Sequence, residues 1–482
     1  GQPVPRVDAR LKVTGAATYT ADIVLPGMLH AVLVRSRIPR GRAVAVDLDG
    51  ARGMPGVVDA MAFGDLPPLA KPIRAGGVRL FDPEICYAGQ QLACVCADTL
   101  SQARAAAKAV RVDYEPAPFA ATAARAVAPG APAVRPKGNV SRSSPVVASR
   151  GDVDRGLAEA DVLVRGRYTT PCALHTAMEP HGAVAAWSGD QLTVREGTQG
   201  VFMVRDDVAA ALELPRSMVR VVMEHMGGGF GAKNHAGAHT YAAALLARRT
   251  GRPVRCVLDR AGEQSDTGHR APASIEVTLG AGGDGRLTAI VAEALVDQGI
   301  SGWEASTTQI FHELYACPNV STTETFAYSN TSAMAAFRGP GHTEGAFALE
   351  RAMDDLARAL GMDPLALRLR NHAEHDQEKS RPYSGGTLRR CLEVGAARFG
   401  WEGQRARSDD AGGAQSMSRR GGAGGTFPVG GAPRYRRGFG LAAQIWPAGG
   451  GPPAYASVRI HPDGSVDVLA GTQDLGPGAR TI

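Results

Sequence analysis

One unit constrains this chain more than any other: a strand, a glycine loop, a helix and a second strand in direct succession. Residues 219–223 (VRVVM) form a short apolar strand, and residues 227–231 (GGGFG) form the loop. Residues 238–249 read as the helix and 254–258 as the next strand. Arg248 and Arg249 occupy the last helical turn and Gly251 follows it, the residue types a helix C-terminus prefers. Such a unit belongs to a layered architecture in which helices cover a sheet. Sixty Gly and 31 Pro in 482 residues allow many turns and argue against a helical bundle.

The loop, MGGGFGAKN, has several chemical readings. Glycines at a helix N-terminus can cradle phosphate with backbone N–H groups. This is not the nucleotide-binding P-loop, because Asn234 follows Lys233, and no third glycine completes a dinucleotide fingerprint. His235 and His239 stand four apart and could share a helix face as metal ligands. They lack the glutamate of HExxH and a third ligand, so ordinary surface or buried histidines are the favoured reading.

The rest of the chain sorts by composition and periodicity. Residues 1–125 mix short strands (TYTADI, LHAVLVRS, QLACVCA, VRVDYE) with a helix over 100–110, a small α/β domain. An Ala-, Pro- and Ser-rich stretch then gives a linker over 126–150, and a larger α/β region spans 151–375. Within it, 344–360 is an amphipathic helix stopped at Gly361 with Pro364 beyond. Residues 376–437 read as a helical segment and a Gly-, Ser- and Arg-rich linker, with 404–437 the part expected to be mobile. From 438, FGLAAQIW, ASVRIHPDGSVDVLAG and GTQDLGPGARTI begin a new set of strands, with Asp463-Gly464 as a hairpin turn. That last domain is expected to be incomplete at Ile482.

Several function classes fall away. Aromatics are 5% and only six of the 53 basic residues are Lys, so the net +6 is an Arg habit of the whole chain and no nucleic-acid stripe. No apolar run is long enough for a membrane span. Seven dispersed cysteines without a CxxC pair make neither a disulfide framework nor an iron–sulfur site. Seven free thiols fit a cytoplasmic chain, with periplasmic export alongside a partner subunit the alternative.

MGGGFGAK, AAFRGPG at 335–341 and LARALGMDPLALRLRN at 356–371 together resemble the molybdenum-binding large subunit of the xanthine dehydrogenase/aldehyde oxidase family. PRVDARLKVTGAATYTADIVLPGMLHAVLVRS, YAGQQLACVCADT and EPHGAVAAW at 179–187 match the same subunit in order. The resemblance implies a mixed α/β multidomain fold. An N-terminal α/β hammerhead domain is followed by the first molybdenum-cofactor-binding domain and, over 438–482, the start of the second.

It also implies roles. The metal is held by molybdopterin, in the cytosine dinucleotide form usual in bacterial members, with no direct protein ligand. Gln199, 31 residues before Phe230, matches the glutamine that hydrogen-bonds an oxo ligand. Gly229, Phe230 and Gly231 match the loop against the metal, and Arg338 the arginine beside the cofactor; a structural ion pair is that arginine's alternative. Gln473 falls in the later pterin-contacting loop, where Pro477 replaces the family's glutamine.

Purine-oxidising members carry a glutamate and an arginine where this chain has Asn234 and Ser306, and Pro340 replaces an aromatic that sandwiches the purine. The resemblance therefore implies oxidation of an aldehyde or neutral N-heterocycle, with water as oxygen source. Electrons would leave through a small [2Fe–2S] subunit and a medium FAD-binding subunit, in a dimer of such assemblies. The family's general base is a glutamate expected beyond Ile482, since Glu179 stands in the wrong motif and Glu224 in the strand before the loop. A truncated subunit, or a second half on a separate polypeptide, would account for it. Two alternatives remain: a catalytically inactive assembly or cofactor-holding scaffold of the same fold, and an unrelated metallo-hydrolase.

Overall fold

The strand Gln91–Ala97 (QLACVCA) is apolar on both sides and buried at every position, so it must lie inside a sheet covered on both faces. A computed structural model of the chain, which describes residues 2–70, 73–403, 438–447 and 455–481, places it there. The sheet has seven strands, in the order Val219–Val222, Gln191–Glu196, Gly182–Ser188, Val254–Val257, Leu29–Arg35, Gln91–Ala97 and Val57–Ala62. Three come from the N-terminal region and four from beyond residue 180. Parallel pairing of Leu29–Ala31 with Val254–Cys256 joins the two sets into one sheet. Helix Ala238–Thr250 covers it with a run of buried Ala, Leu and Tyr, and ends on Gly251 in the left-handed conformation.

A second sheet of five strands carries a separate core, in the order Val162–Thr170, Ala273–Ala281, Leu287–Asp297, Val320–Ala327 and Val146–Arg150. Helix His342–Ala359 lays the stripe His342, Ala346, Leu349, Met353 and Leu356 on this core. Pro364 does more than end that helix. It opens the next one, Pro364–Arg370, where Asp363 accepts the Ala366 N–H at 2.9 Å.

Four expectations change. TYTADI is no strand: Thr20–Asp22 is a 3-10 turn, and Tyr19 donates its N–H to the Asp22 carboxylate at 3.0 Å. FGLAAQIW alternates because Leu441, Ala443 and Ile445 lie on the second core, yet Ala443 gives its N–H to Glu350 at 2.9 Å and no ladder forms. Residues 471–481 are likewise a loop, turned by Asp474, which accepts the Gly476 and Gly478 N–H groups at 2.8 and 3.1 Å. The stretch read as a linker ends in an edge strand, Val146–Arg150, paired antiparallel with Val320–Glu324.

The Asp463-Gly464 hairpin forms, between Ala456–Ile460 and Val466–Ala470. The expected mobile stretch 404–437 lies outside the described residues. All seven cysteines are free. Burial pushes the thiols of Cys96 and Cys256 up to about 12. Among the described residues no helix is long and apolar enough to cross a membrane.

Candidate functional site

Strand Gln191–Glu196, helix Val201–Ala211 and strand Val219–Val222 form one βαβ unit, and the two strands pair in parallel. The 31-residue offset from Gln199 to Phe230 therefore spans the crossover helix and the second strand. Gln199 and the glycine loop emerge side by side at the carboxyl ends of adjacent parallel strands, where open α/β sheets place their ligands.

The contacts are specific. Gln199 Oε1 accepts the Gly231 N–H at 2.7 Å and the Lys233 N–H at 3.4 Å. These bonds turn its Nε2 donors away from the loop, without a partner among the described residues. A Cβ on Gly229 would fall 2.4 Å from Gln199 Oε1, and one on Gly231 would fall 2.3 Å from the Ala336 carbonyl. Phe230 and Arg338 both have positive φ, 55° and 29°, and meet through an Arg338 N–H to Phe230 C=O bond of 2.9 Å. Left-handed non-glycine residues cost about 1–3 kcal/mol each and cluster where surrounding structure enforces them for function.

The second core supplies the other side. His175 bonds the Ala336 carbonyl at 2.7 Å and stacks near Phe337, ring centroids 4.3 Å apart. Arg270 lies over Phe337 at 4.6 Å, pairs with Glu344 at 3.0 Å and donates to the Arg338 carbonyl at 3.1 Å. The ion pair here is thus Arg270's. Arg338 keeps an exposed guanidinium with no partner among the described residues. Burial pushes the Glu344 carboxyl up, against the pull of Arg270.

Gln199, Gly229, Phe230, Gly231 and Arg338 are brought together. Asn234 joins them but turns its amide back on the Gly231 carbonyl at 2.9 Å. Ser306 sits beneath the FRGPG turn, where a Cβ on Gly341 would fall 2.1 Å from its carbonyl. Its hydroxyl accepts the Thr308 and Gln309 N–H groups, at 3.3 and 3.1 Å. Pro340 is buried in the same turn. Gln473 is half-buried in a loop whose contacts run to Phe202 through Gly471 and to Arg6 through Asp474, not to the glycine loop.

His235 and His239 diverge. The first meets Asp207 at 3.0 Å on the surface, and the second meets buried Glu196 at 3.2 Å. No metal-ligating cluster exists among the described residues. Glu224 lies past the end of its strand, exposed, rather than within it. The sequence reading named Glu179 and Lys233 but gave them no place in the site, and they meet beside the loop at 3.4 Å. A lysine two residues after a glycine loop, and an acidic residue opening EPHG, were the available signals.

Residues 135–372 match the molybdopterin cofactor-binding domain, and residues 14–118 match the α/β hammerhead domain of aldehyde oxidase and xanthine dehydrogenase. A nicotinate dehydrogenase large molybdopterin subunit from Eubacterium barkeri is 32% identical, over 77% of this chain and 88% of that one. The chain belongs to the xanthine dehydrogenase/aldehyde oxidase family of molybdopterin-binding subunits. An aldehyde oxidoreductase molybdenum-binding subunit from Escherichia coli O157:H7 is 32% identical over 100% of this chain and 62% of its own length. Quinoline 2-oxidoreductase from Pseudomonas putida 86 superposes with a TM-score of 0.82 at 25% identity, over 100% of this chain and 63% of that one. The chain thus spans less than two thirds of these last two relatives.

The residues fit molybdopterin. Two glycine positions are shaped so that any Cβ would fill the loop's contacts, and the Gln199 amide and the Arg338 guanidinium are donors without internal partners among the described residues. Oxygen ligands and anionic groups need such donors.

Proposed function

We propose that this chain forms one wall of the active site of a molybdenum hydroxylase, an oxidoreductase that oxidises an aldehyde or neutral N-heterocycle with water as oxygen source. The observation that carries this reading is the convergence of Gln199 and Arg338 on either side of the 227–231 loop. When bound, the cofactor supplies the two-electron redox chemistry. Gln199 Nε2 would donate a hydrogen bond to an oxygen of the bound group, and the bare backbone at Gly229 and Gly231 would admit a bulky group. The Arg338 cation would offset anionic charge, and the half-exposed Phe230 ring would shield the bound group from water.

Asn234 and Ser306 are both engaged with backbone, and Pro340 is buried in its turn, so none offers a charged grip on a purine. That supports a small or neutral substrate. The carboxylates around the loop are committed elsewhere: Glu179 to Lys233, Glu263 to His181, and Glu344 to Arg270. None of these three is free to act as general base, and the family resemblance is what points to a glutamate outside residues 1–482. The same observation favours, as a second reading, a scaffold that holds the cofactor without turnover.

The relatives' names as molybdenum-binding subunits support partnership with a small [2Fe–2S] subunit and a medium FAD subunit. The cytosine dinucleotide form, a Gln473 contact to the pterin and dimeric assembly complete the proposal. Metal and pterin content of the chain purified with its partners tests it. About one molybdenum per chain is expected, falling severalfold in Gln199→Ala and Arg338→Ala, since hydrogen bonds to charged groups contribute about 1.5–3 kcal/mol. A preparation that takes up zinc and no pterin would refute the reading.

A further inference from the structure

Lys233 stands two residues after the glycine loop, yet its side chain is only 1% exposed. A buried ammonium is tolerated only where its donors are met, and burial pushes this one down from its ordinary range. Its Nζ donates to the Glu179 carbonyl at 2.7 Å, the Pro180 carbonyl at 3.3 Å and Glu179 Oε2 at 3.4 Å. Glu179 in turn holds the other end of the loop. Its Oε2 accepts the Gly227 N–H at 2.8 Å, and its own N–H goes to the Gly227 carbonyl at 3.1 Å. Oε1 accepts the Thr20 N–H at 3.1 Å, and the Thr20 hydroxyl accepts the Gly197 N–H at 2.8 Å. The fit is close: a Cβ on Gly197 would fall 2.6 Å from Glu179 Oε2, and one on Gly227 would fall 2.5 Å from Glu179 Cβ.

The backbone of Lys233 carries the grip to Gln199. Its carbonyl accepts the Gln199 N–H at 2.7 Å and the Thr198 hydroxyl at 2.9 Å, while its N–H goes to Gln199 Oε1. A loop of four glycines in five residues has little side-chain packing of its own to hold one shape. It needs an external tie, and the Glu179–Lys233 pair grips both ends.

We infer that Lys233 and Glu179 are positioning residues. The buried pair fixes the 227–231 loop, and through it aims the Gln199 Nε2 donors at the cofactor. The inference rests on the functional reading above, and it also makes a claim about the cofactor-free chain. Neither residue touches the cofactor; both act through Gln199 and the loop.

The test uses the full-length chain with its partner subunits, as wild type, Lys233→Met, Glu179→Gln, Gln199→Ala and the Lys233→Met/Gln199→Ala double variant. Amide hydrogen exchange on cofactor-free protein should become about tenfold faster over 227–233 in Lys233→Met, while strands 273–281 and 287–297 keep their protection. In loaded protein the electron paramagnetic resonance signal of the reduced metal should take on the Gln199→Ala line shape. The double variant should retain no less molybdenum than the worse single one. Unchanged exchange over 227–233, loosening spread equally to the second core, an unchanged line shape or additive losses would each overturn the inference. If Lys233→Met does not fold, Glu179→Gln decides it by the same exchange measurement. A wild type that holds no molybdopterin would refute the functional reading instead, and the exchange result would still judge the clamp.

Discussion

His175 shows how much of the site turns on single protons. Its Nε2 lies 2.7 Å from the Ala336 carbonyl, which can only accept, so Nε2 carries the hydrogen. Its Nδ1 is buried without a partner among the described residues. A second proton would have no acceptor, and burial accordingly pushes the ring's pKa below its ordinary 6.5. In the window below 6.5 the unfolded chain therefore binds more protons at this position than the folded one. The associated stability is present above 6.5 and is lost as pH falls through the lowered value. Chemical denaturation of wild type and His175→Phe between pH 7.5 and about 5 should show a steeper acid decline in wild type, by at most about 1.4 kcal/mol per pH unit. Comparing the two cancels the buried Glu324, Glu344 and Glu350, whose pKa values burial raises and whose effect has the opposite sign. Parallel curves would show that His175 takes up its proton as readily in the fold as in the unfolded chain.

At the scale of elements, a buried ion-pair network ties helix His342–Ala359 to helix Pro364–Arg370. Arg368 is fully buried and bonds Glu350 at 2.7 Å and Asp354 at 2.9 Å, while Tyr315 donates its hydroxyl to Glu350. Ala443 gives its N–H to the same carboxylate, so the segment after 437 is held by this network too. Arg368→Met would leave the Glu350 charge buried without its cation. A loss of about 3–5 kcal/mol is expected, readable as a lower denaturation midpoint. A change under about 1 kcal/mol would mean that Glu350 is already neutral in the fold. The first helix was legible from its stripe and stop signals, with ends shifted by a residue or two, whereas the second was not, because Pro364 reads along the chain only as a stop. TYTADI and FGLAAQIW misled because alternation reports which side chains are buried and says nothing of where the backbone N–H groups go. In both segments those groups found carboxylates, Asp22 and Glu350.

At the scale of the whole molecule, the two cores meet at the loops that carry Gln199, Phe230 and Arg338, which the Arg338 N–H to Phe230 carbonyl bond ties together. Residues 1–482 purified alone should bind molybdopterin weakly and show no hydroxylase turnover. General acid–base assistance is worth roughly 10²–10⁴-fold, and the carboxylates beside the loop are spent on Lys233, His181 and Arg270. Aldehyde oxidation with a dye acceptor, with and without a second-half polypeptide, measures this. Robust turnover by the single chain, abolished in Gln199→Ala, would reveal a base within these residues.

The amino-acid sequence determined by itself what depends on neighbours along the chain: the strand–loop–helix unit, the Gly251 stop, the hairpin at Asp463-Gly464 and, through ordered motifs, the family. Only the tertiary structure decided what depends on distant partners. It joined strands from both matched domains into one sheet through Leu29–Ala31 and Val254–Cys256. It turned Arg270, not Arg338, into the ion-paired arginine, and set Lys233 on Glu179, 54 residues away. Periodicity records that a side chain is buried; which charge it is buried against is set by the packing of segments the local pattern cannot see.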